Sequence, residues 1–231
     1  DAYKSIYESL SHAGIANRCK VNLRKVSAEE VADVGAEKLL EGVDGILVPG
    51  GFGERGFEGK IASISYARKH KIPFLGICYG MQAAVVEYAR SELGLKDATT
   101  TEYEPDAKNP LISLMEEQKT TLDKGGTMRL GAFDCKLQPG THSHRAYGQE
   151  TISERHRHRF ELNNDYREQL REKGLVLAGT NPQLDLVEIV EVPDHPWFVG
   201  VQYHPEYKTR PLTPHPLFRD FVHAAIENQK G

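Results

Sequence analysis

Pro73-Phe74-Leu75-Gly76-Ile77-Cys78-Tyr79-Gly80 is the stretch that decides the fold. Its apolar residues have the length of a buried strand, and a helical pattern from Met81 to Arg90 follows at once. A strand that turns straight into a helix through Gly76-x-Cys78-x-Gly80 is a nucleophile elbow, with the central side chain held clear of the backbone. The flanking glycines tolerate the crowding and strained dihedrals this demands. The thiol also faces a helix N-terminus, whose free N–H groups and partial positive charge favour thiolate over thiol. A free cysteine is more often a plain buried residue, and the pentapeptide by itself leaves both readings open.

Upstream, the pattern alternates. Val21 to Val26 reads as a strand, Ala28 to Leu40 as a helix, Gly45 to Val48 as a buried strand, Gly59 to His70 as a helix, and Phe74 to Ile77 as the elbow strand. Such a βαβ series gives a parallel, doubly wound sheet with its sites beyond the carboxyl ends of the strands. Gly50-Gly51 and Cys78 both fall at such ends. An amphipathic helix opens the chain, starting near Asp1, where the alternation calls for a preceding strand inside the sheet. The expectation is a domain excised from a longer chain and lacking its first strand.

Downstream, Asp97 to Asp123 has little periodicity and contains Pro105 and Pro110, which fits either a long functional loop or an irregular connection. Glycines alternate with apolar residues between Gly125 and Leu137, as in a strand or a lid over the site. A helix is expected from Asn164 to Lys173, then strands at Leu175 to Ala178, Leu186 to Val192 and Phe198 to Tyr203, then a helix from Pro216 to Asn228. The close spacing of those strands suggests antiparallel additions. The fold class is therefore α/β, a mostly parallel, doubly wound central sheet flanked by helices, with antiparallel strands added in the C-terminal half. At 231 residues this is one domain with one sizeable core.

The net charge of −4 has mixed signs, so no broad basic field invites nucleic acid. The densest basic run, Arg155-His156-Arg157-His158-Arg159, read as a strand, puts the arginines on one side and the histidines on the other. It fits a solvated edge strand, or less well a metal pair, because no third ligand stands at a recognisable spacing. Cys19, Cys78 and Cys135 form no paired framework and no Cys-x-x-Cys unit, which argues against disulfide and zinc scaffolds and fits a reducing compartment. Cys19 and Cys135, outside any glycine-flanked elbow, read as structural. No apolar run of about 18 residues and no signal-peptide core is present, so a soluble cytoplasmic protein, free of the membrane, is expected.

The partner for the elbow lies in Phe198-Val199-Gly200-Val201-Gln202-Tyr203-His204-Pro205-Glu206. On a strand, side chains two apart share a side, so Glu206 orients one nitrogen of His204 and leaves the other free to take a thiol proton. Taken alone, the two residues read more readily as a solvated pair. An oxyanion pocket needs donors already in place, and the backbone N–H groups of Gly51 and Tyr79 are the candidates.

A cysteine elbow followed by His-x-Glu on an α/β pattern resembles the class I (triad) glutamine amidotransferases, whose cysteine, histidine and glutamate hydrolyse the side-chain amide of glutamine. Within that family, five stretches are similar to the glutaminase domains of CTP synthases: Gly50 to Gly56, Thr101-Glu102-Tyr103, Gly125-Gly126-Thr127-Met128-Arg129-Leu130-Gly131, Glu154 to Glu161, and His195 to Glu206. The likeness covers essentially the whole chain. Two departures stand out. Tyr79 follows the nucleophile where leucine is usual, which bears on the amide-binding pocket, and Thr101-Glu102-Tyr103 replaces a commoner Ser-Thr-Glu-Phe ending.

The resemblance implies that Cys78, His204 and Glu206 hydrolyse L-glutamine through a glutamyl thioester. It places Glu102 against the substrate ammonium, Arg159 near its carboxylate, and Gly51, Tyr79, Gly80, Met81 and Gln82 along the rest of the pocket. It implies no cofactor and no metal in this domain. A synthetase domain, absent from this chain, would use ATP, UTP and Mg²⁺ and receive the ammonia through a tunnel. GTP would promote hydrolysis near the Gly125 to Gly131 lid, and the full-length protein would form a tetramer. A free-standing γ-glutamyl hydrolase or another class I amidotransferase is the alternative, which the Gly-Gly-Thr-Met-Arg-Leu-Gly and Arg/His runs weigh against. A non-catalytic regulatory module of the same fold is the other, disfavoured by the intact triad.

Overall fold

Phe74, Leu75 and Ile77 are wholly enclosed, as a strand covered on both faces must be, and the sheet grows outward from them. The computed structural model describes residues 3–114 and 128–230. In chain order its helices are α1 (Lys4–Ala16), α2 (Ala28–Val34), α3 (Ala36–Leu39), α4 (Phe57–Lys69), α5 (Tyr79–Glu92), α6 (His142–Tyr147), α7 (Arg167–Glu172) and α8 (Pro216–Lys230). Its strands are β1 (Ile46–Val48), β2 (Phe74–Ile77), β3 (Ala98–Thr100), β4 (Asn109–Ser113), β5 (Arg129–Leu137), β6 (Thr151–His158), β7 (Glu161–Leu162), β8 (Val176–Asn181), β9 (Leu186–Glu191) and β10 (Phe198–Val201).

A seven-stranded sheet runs β1-β2-β10-β9-β8-β5-β6, beside a three-stranded sheet β3-β4-β7. β1, β2 and β10 are mutually parallel, with Phe198 opposite Phe74 and Val201 opposite Ile77. From β10 onward every pairing in the large sheet is antiparallel. This is an α/β fold with the expected antiparallel extension, and that extension is the larger part of the sheet. Alternation along β2 feeds both faces. Phe74 packs with Ile64, Met81 and Val85 of α4 and α5, whereas Leu75 and Ile77 pack with Ile6 and Leu10 of α1 and Phe218 of α8. Each such side chain contributes about 1.5–3 kcal/mol on burial.

Several boundaries move. Val21 to Val26 is not a strand: the segment pairs with no strand among the described residues, which leaves β1 as the edge of the sheet, and its residues are half-buried or exposed. The helix expected from Ala28 to Leu40 breaks at Gly35, whose φ of +98° ends α2 and starts α3. The last of the three late strands, β10, is parallel to its neighbour β2, and only β8 and β9 are antiparallel additions around it. Within Asp97 to Asp123, β3 and β4 pair in parallel and give the region regular structure. Residues 115–123 of that segment, and Gly125 to Thr127 of the lid motif, lie outside the described residues.

β6 alternates as expected, with Arg155 and Arg157 outside and His156 and His158 inside. The buried histidines belong to a ring of five ionisable groups. Arg129 donates to Glu161 at 3.0 Å and to Glu188 at 2.7 Å, and the two imidazoles meet at 2.8 Å. Closer approach is incomplete at the other two links, where His158 Nδ1 stands 3.3 Å from Glu161 and His156 Nε2 stands 3.7 Å from Glu188. Counting hydrogens leaves the ring one proton short. Two neutral imidazoles carry two N–H groups, one of which lies between them. The second can face only one carboxylate, leaving a bare nitrogen against the other. A proton on that second carboxyl removes the conflict. Burial and the charge of Glu188, opposed by Arg129, accordingly push Glu161 up to about 8, and burial with the charges of Arg129 and His204 pushes His156 down to about 3.

Candidate active site

Cys78 sits between the end of β2 and the start of α5 with φ +51° and ψ −103°, a conformation that costs an L-residue on the order of 1–3 kcal/mol. The surroundings hold it there. Its N–H donates to Val201 C=O on β10 at 2.7 Å, and its own carbonyl accepts the Gln82 N–H at 3.1 Å. A Cβ on Gly80 would stand 2.1 Å from the Val48 carbonyl, and one on Gly76 would stand 2.9 Å from Gly80. No larger residue fits at either place, so the glycines of the elbow are required by close approach.

β10 stops at Val201, and His204 and Glu206 lie beyond it, Glu206 in a single 3₁₀ turn over Pro205–Tyr207. The expected pairing by strand alternation is therefore replaced by pairing through that turn. His204 Nδ1 meets Glu206 Oε1 at 2.7 Å. The main chain is fixed by the His204 N–H, which donates to Arg155 C=O at 2.8 Å, and Tyr207 stacks on the ring at 5.4 Å. The Cys78 side chain stands close enough to the same imidazole to act on its charge. Burial works against a charge on His204, but the bonds and charges of Cys78 and Glu206 outweigh it and raise the group to about 10. Gly50 completes the wall, since a Cβ there would stand 3.0 Å from His204 Cε1 and 3.6 Å from Cys78 Cβ.

The turn after β1 brings Gly51 beside the elbow, where an added Cβ would stand 3.5 Å from Tyr79 Cδ1. Neither the Gly51 nor the Tyr79 N–H donates to any described residue, which leaves both free beside the elbow. Glu102, just after β3, accepts the Gly53 N–H at 2.9 Å. The Tyr79 hydroxyl donates to the Gly53 carbonyl, so this side chain runs to the turn. Gly80 and Met81 are buried in the first turn of α5, and Gln82 spends its side-chain N–H groups on Phe160 C=O at 2.9 Å and Gln202 Oε1 at 3.2 Å. Arg159 is exposed, one residue before that Phe160. In the lid motif, Met128 and Leu130 are exposed while Arg129 is locked in the buried ring.

One residue was missed from the sequence. Gln202 is wholly buried, and its Nε2 approaches Cys78 Sγ at 3.7 Å. The signal was a lone amide between Val201 and Tyr203 in an otherwise apolar run. No group of three or more metal-ligating side chains is present among the described residues, and no helix is long and apolar enough to cross a membrane.

The family model for the class-I glutamine amidotransferases matches residues 1–224. A CTP synthase of Geotalea uraniireducens is 60% identical over 231 residues, which is 100% of this chain and 43% of that protein. A CTP synthase of Desulfotalea psychrophila is 56% identical over 242 aligned positions, covering 100% of this chain and 44% of its own length. The chain thus spans less than half the length of the curated relatives it matches. Among solved structures, the Trypanosoma brucei CTPS glutaminase domain with bound acivicin aligns with a TM-score of 0.91 at 35% identity, over 98% of this chain and 89% of that one.

Proposed function

From the premise that this chain belongs to the class-I glutamine amidotransferases, we propose that it hydrolyses L-glutamine to glutamate and ammonia through Cys78, His204 and Glu206. The observation that carries this reading is one imidazole bonded to a buried carboxylate on one side and close to a strained, glycine-flanked thiol on the other. In the first step the sulfur, its proton held on His204, attacks the side-chain carbonyl carbon. The C–S bond forms, and the carbonyl electron pair moves to oxygen, which the Gly51 and Tyr79 N–H groups receive. As the oxygen pair returns, the C–N bond breaks and His204 hands its proton to the departing amine. Ammonia leaves and a thioester remains. Water then attacks, giving its proton to His204, and glutamate departs as that proton returns to sulfur.

Glu102 takes the substrate ammonium and Arg159 its carboxylate. Gln82 holds the Phe160 corner next to Arg159 and forms the amide end of the pocket with Gly80 and Met81. In a protein of the length of the relatives named CTP synthase, the ammonia would aminate UTP at the cost of ATP with Mg²⁺ in a synthetase domain. GTP would act through residues 125–131, and the whole would assemble as a tetramer.

A glutamine-mimicking electrophile should label Cys78 alone, with glutamine protecting it. Cys135 is the internal control, since burial, reinforced by Glu188 and Glu154, pushes its thiol far up. Peptide mapping by mass spectrometry reads the result, and labelling spread over Cys19 and Cys135 would count against the reading. Glu206→Gln should keep residual turnover, because the imidazole is then mis-oriented but present, whereas His204→Ala should keep none above background. Parental activity in Glu206→Gln at neutral pH would reduce the triad to a Cys/His dyad.

A further inference from the structure

We propose that the Tyr79 side chain is a positioning residue for the oxyanion pocket, its hydroxyl tying the Gly50 to Gly53 turn to the helix that begins beside the nucleophile. The inference rests on the hydrolytic reading above and adds the part that holds one of its donors in place. Tyr79 is 1% exposed, yet its polar end is not idle: the hydroxyl donates to the Gly53 carbonyl. The ring lies along Gly51, where an added Cβ would stand 3.5 Å from Tyr79 Cδ1. It is braced from α4 by Phe57 at 5.5 Å and by Lys60, whose Nζ stands 5.3 Å over the ring centre.

The turn has few other supports. Phe52 is 87% exposed and the Gly51 N–H has no partner among the described residues. What remains is the bond from the Gly53 N–H to Glu102. Gly53 is therefore clamped at both ends of its own residue, the amide by Glu102 and the carbonyl by Tyr79. Glu102 is also the carboxylate assigned to the substrate ammonium, so glutamine draws on one of the two tethers as it binds. Tyr79 is the tether whose hydroxyl is already committed to the turn. A leucine at this position would fill the space without donating, and the turn would then depend on outside contacts for its register.

Because the hydroxyl is spent on the Gly53 carbonyl, its loss should act on turnover rather than on binding. For Tyr79→Phe the expectation is a kcat about 10-fold lower, a fraction of the 10²–10³ that follows outright removal of an oxyanion donor, with the KM for glutamine within about twofold of the parent. Alkylation of Cys78 by iodoacetamide, which needs no oxyanion pocket, should keep its parental rate. Hydrogen exchange supplies a readout independent of turnover: the peptide spanning Gly50 to Gly53 should exchange faster in Tyr79→Phe than in the parent, while peptides of α5 stay unchanged. Equal exchange in that peptide would overturn the clamp, as would an unchanged kcat, a rise in KM alone, or an alkylation rate that falls with kcat. Ammonia release that is the same in the parent and in Cys78→Ala would instead sink the hydrolytic reading, leaving the exchange comparison to decide the clamp.

Discussion

Cys78→Ala should lower glutamine-dependent ammonia release by more than about 10⁴-fold, since no other group in the pocket can form the thioester and a triad loses most of its power with its nucleophile. The melting temperature should not fall with it. Alanine keeps the Cβ that makes φ +51° costly, and the thiol adds little to a core carried by Phe74, Leu75 and Ile77. Cys78→Gly sharpens the test. Glycine adopts that conformation without strain, so this variant should be equally inactive and about 1 kcal/mol more stable than Cys78→Ala. Steady-state ammonia assays and thermal unfolding decide both points. An inactive but unfolded Cys78→Ala would move the residue from chemistry to structure.

Arg129→Ala should be the most destabilising single change at the buried ring. It leaves Glu161 and Glu188, both enclosed, without the cation that bonds to each of them, and uncovering a buried charge in this way costs about 3–5 kcal/mol. The ring also fixes the sign of a pH effect. Glu161 is raised from 4.5 to about 8, so the folded chain binds a proton there that the unfolded chain has released. The stability this group contributes is full below about 4.5 and drains as pH rises through about 8. His204, raised from 6.5 to about 10, acts in the same direction over its own window. His156, lowered to about 3, acts oppositely, and its contribution is lost as the medium becomes acid. The melting temperature should thus decline from pH 7 to about 9. Glu161→Gln, whose amide can donate to His158 and accept from Arg129 without titrating, should flatten the part of that decline lying below about 8. A parental slope in this variant would place the shared proton elsewhere.

Much of this arrangement was legible because it is local. The elbow strand, its glycines and the helix behind it are fixed by neighbours in sequence, and β2 and α5 fall where the pattern places them. The candidate triad was suggested by residue types at strand ends, and the structure pairs His204 with Glu206 through the turn after β10. Val21 to Val26 misled because apolar spacing reports a strand's faces and says nothing of whether a ladder is available at its edge. Gly35 misled because a helical period survives across a break that only a positive φ reveals. The buried ring lay further out of reach. Its members come from β5, β6, β7 and β9, and although alternation turned His156 and His158 inward, nothing in the sequence named Arg129, Glu161 and Glu188 as what they would meet. The turn around Gly53 is similar, being held by Tyr79 and Glu102 from two distant segments.

The bond between His156 and His158 makes the core observable from outside. Both rings are buried, so the hydrogen shared across 2.8 Å meets no bulk water and can be lost to heavy water only when the β5–β6 hairpin opens. Its magnetic resonance signal should lie far downfield, clear of the amide envelope, and should fade at the rate of that opening. A single line in a spectrum would then report how often the strand that holds the His204 main chain comes apart, with no substrate and no label.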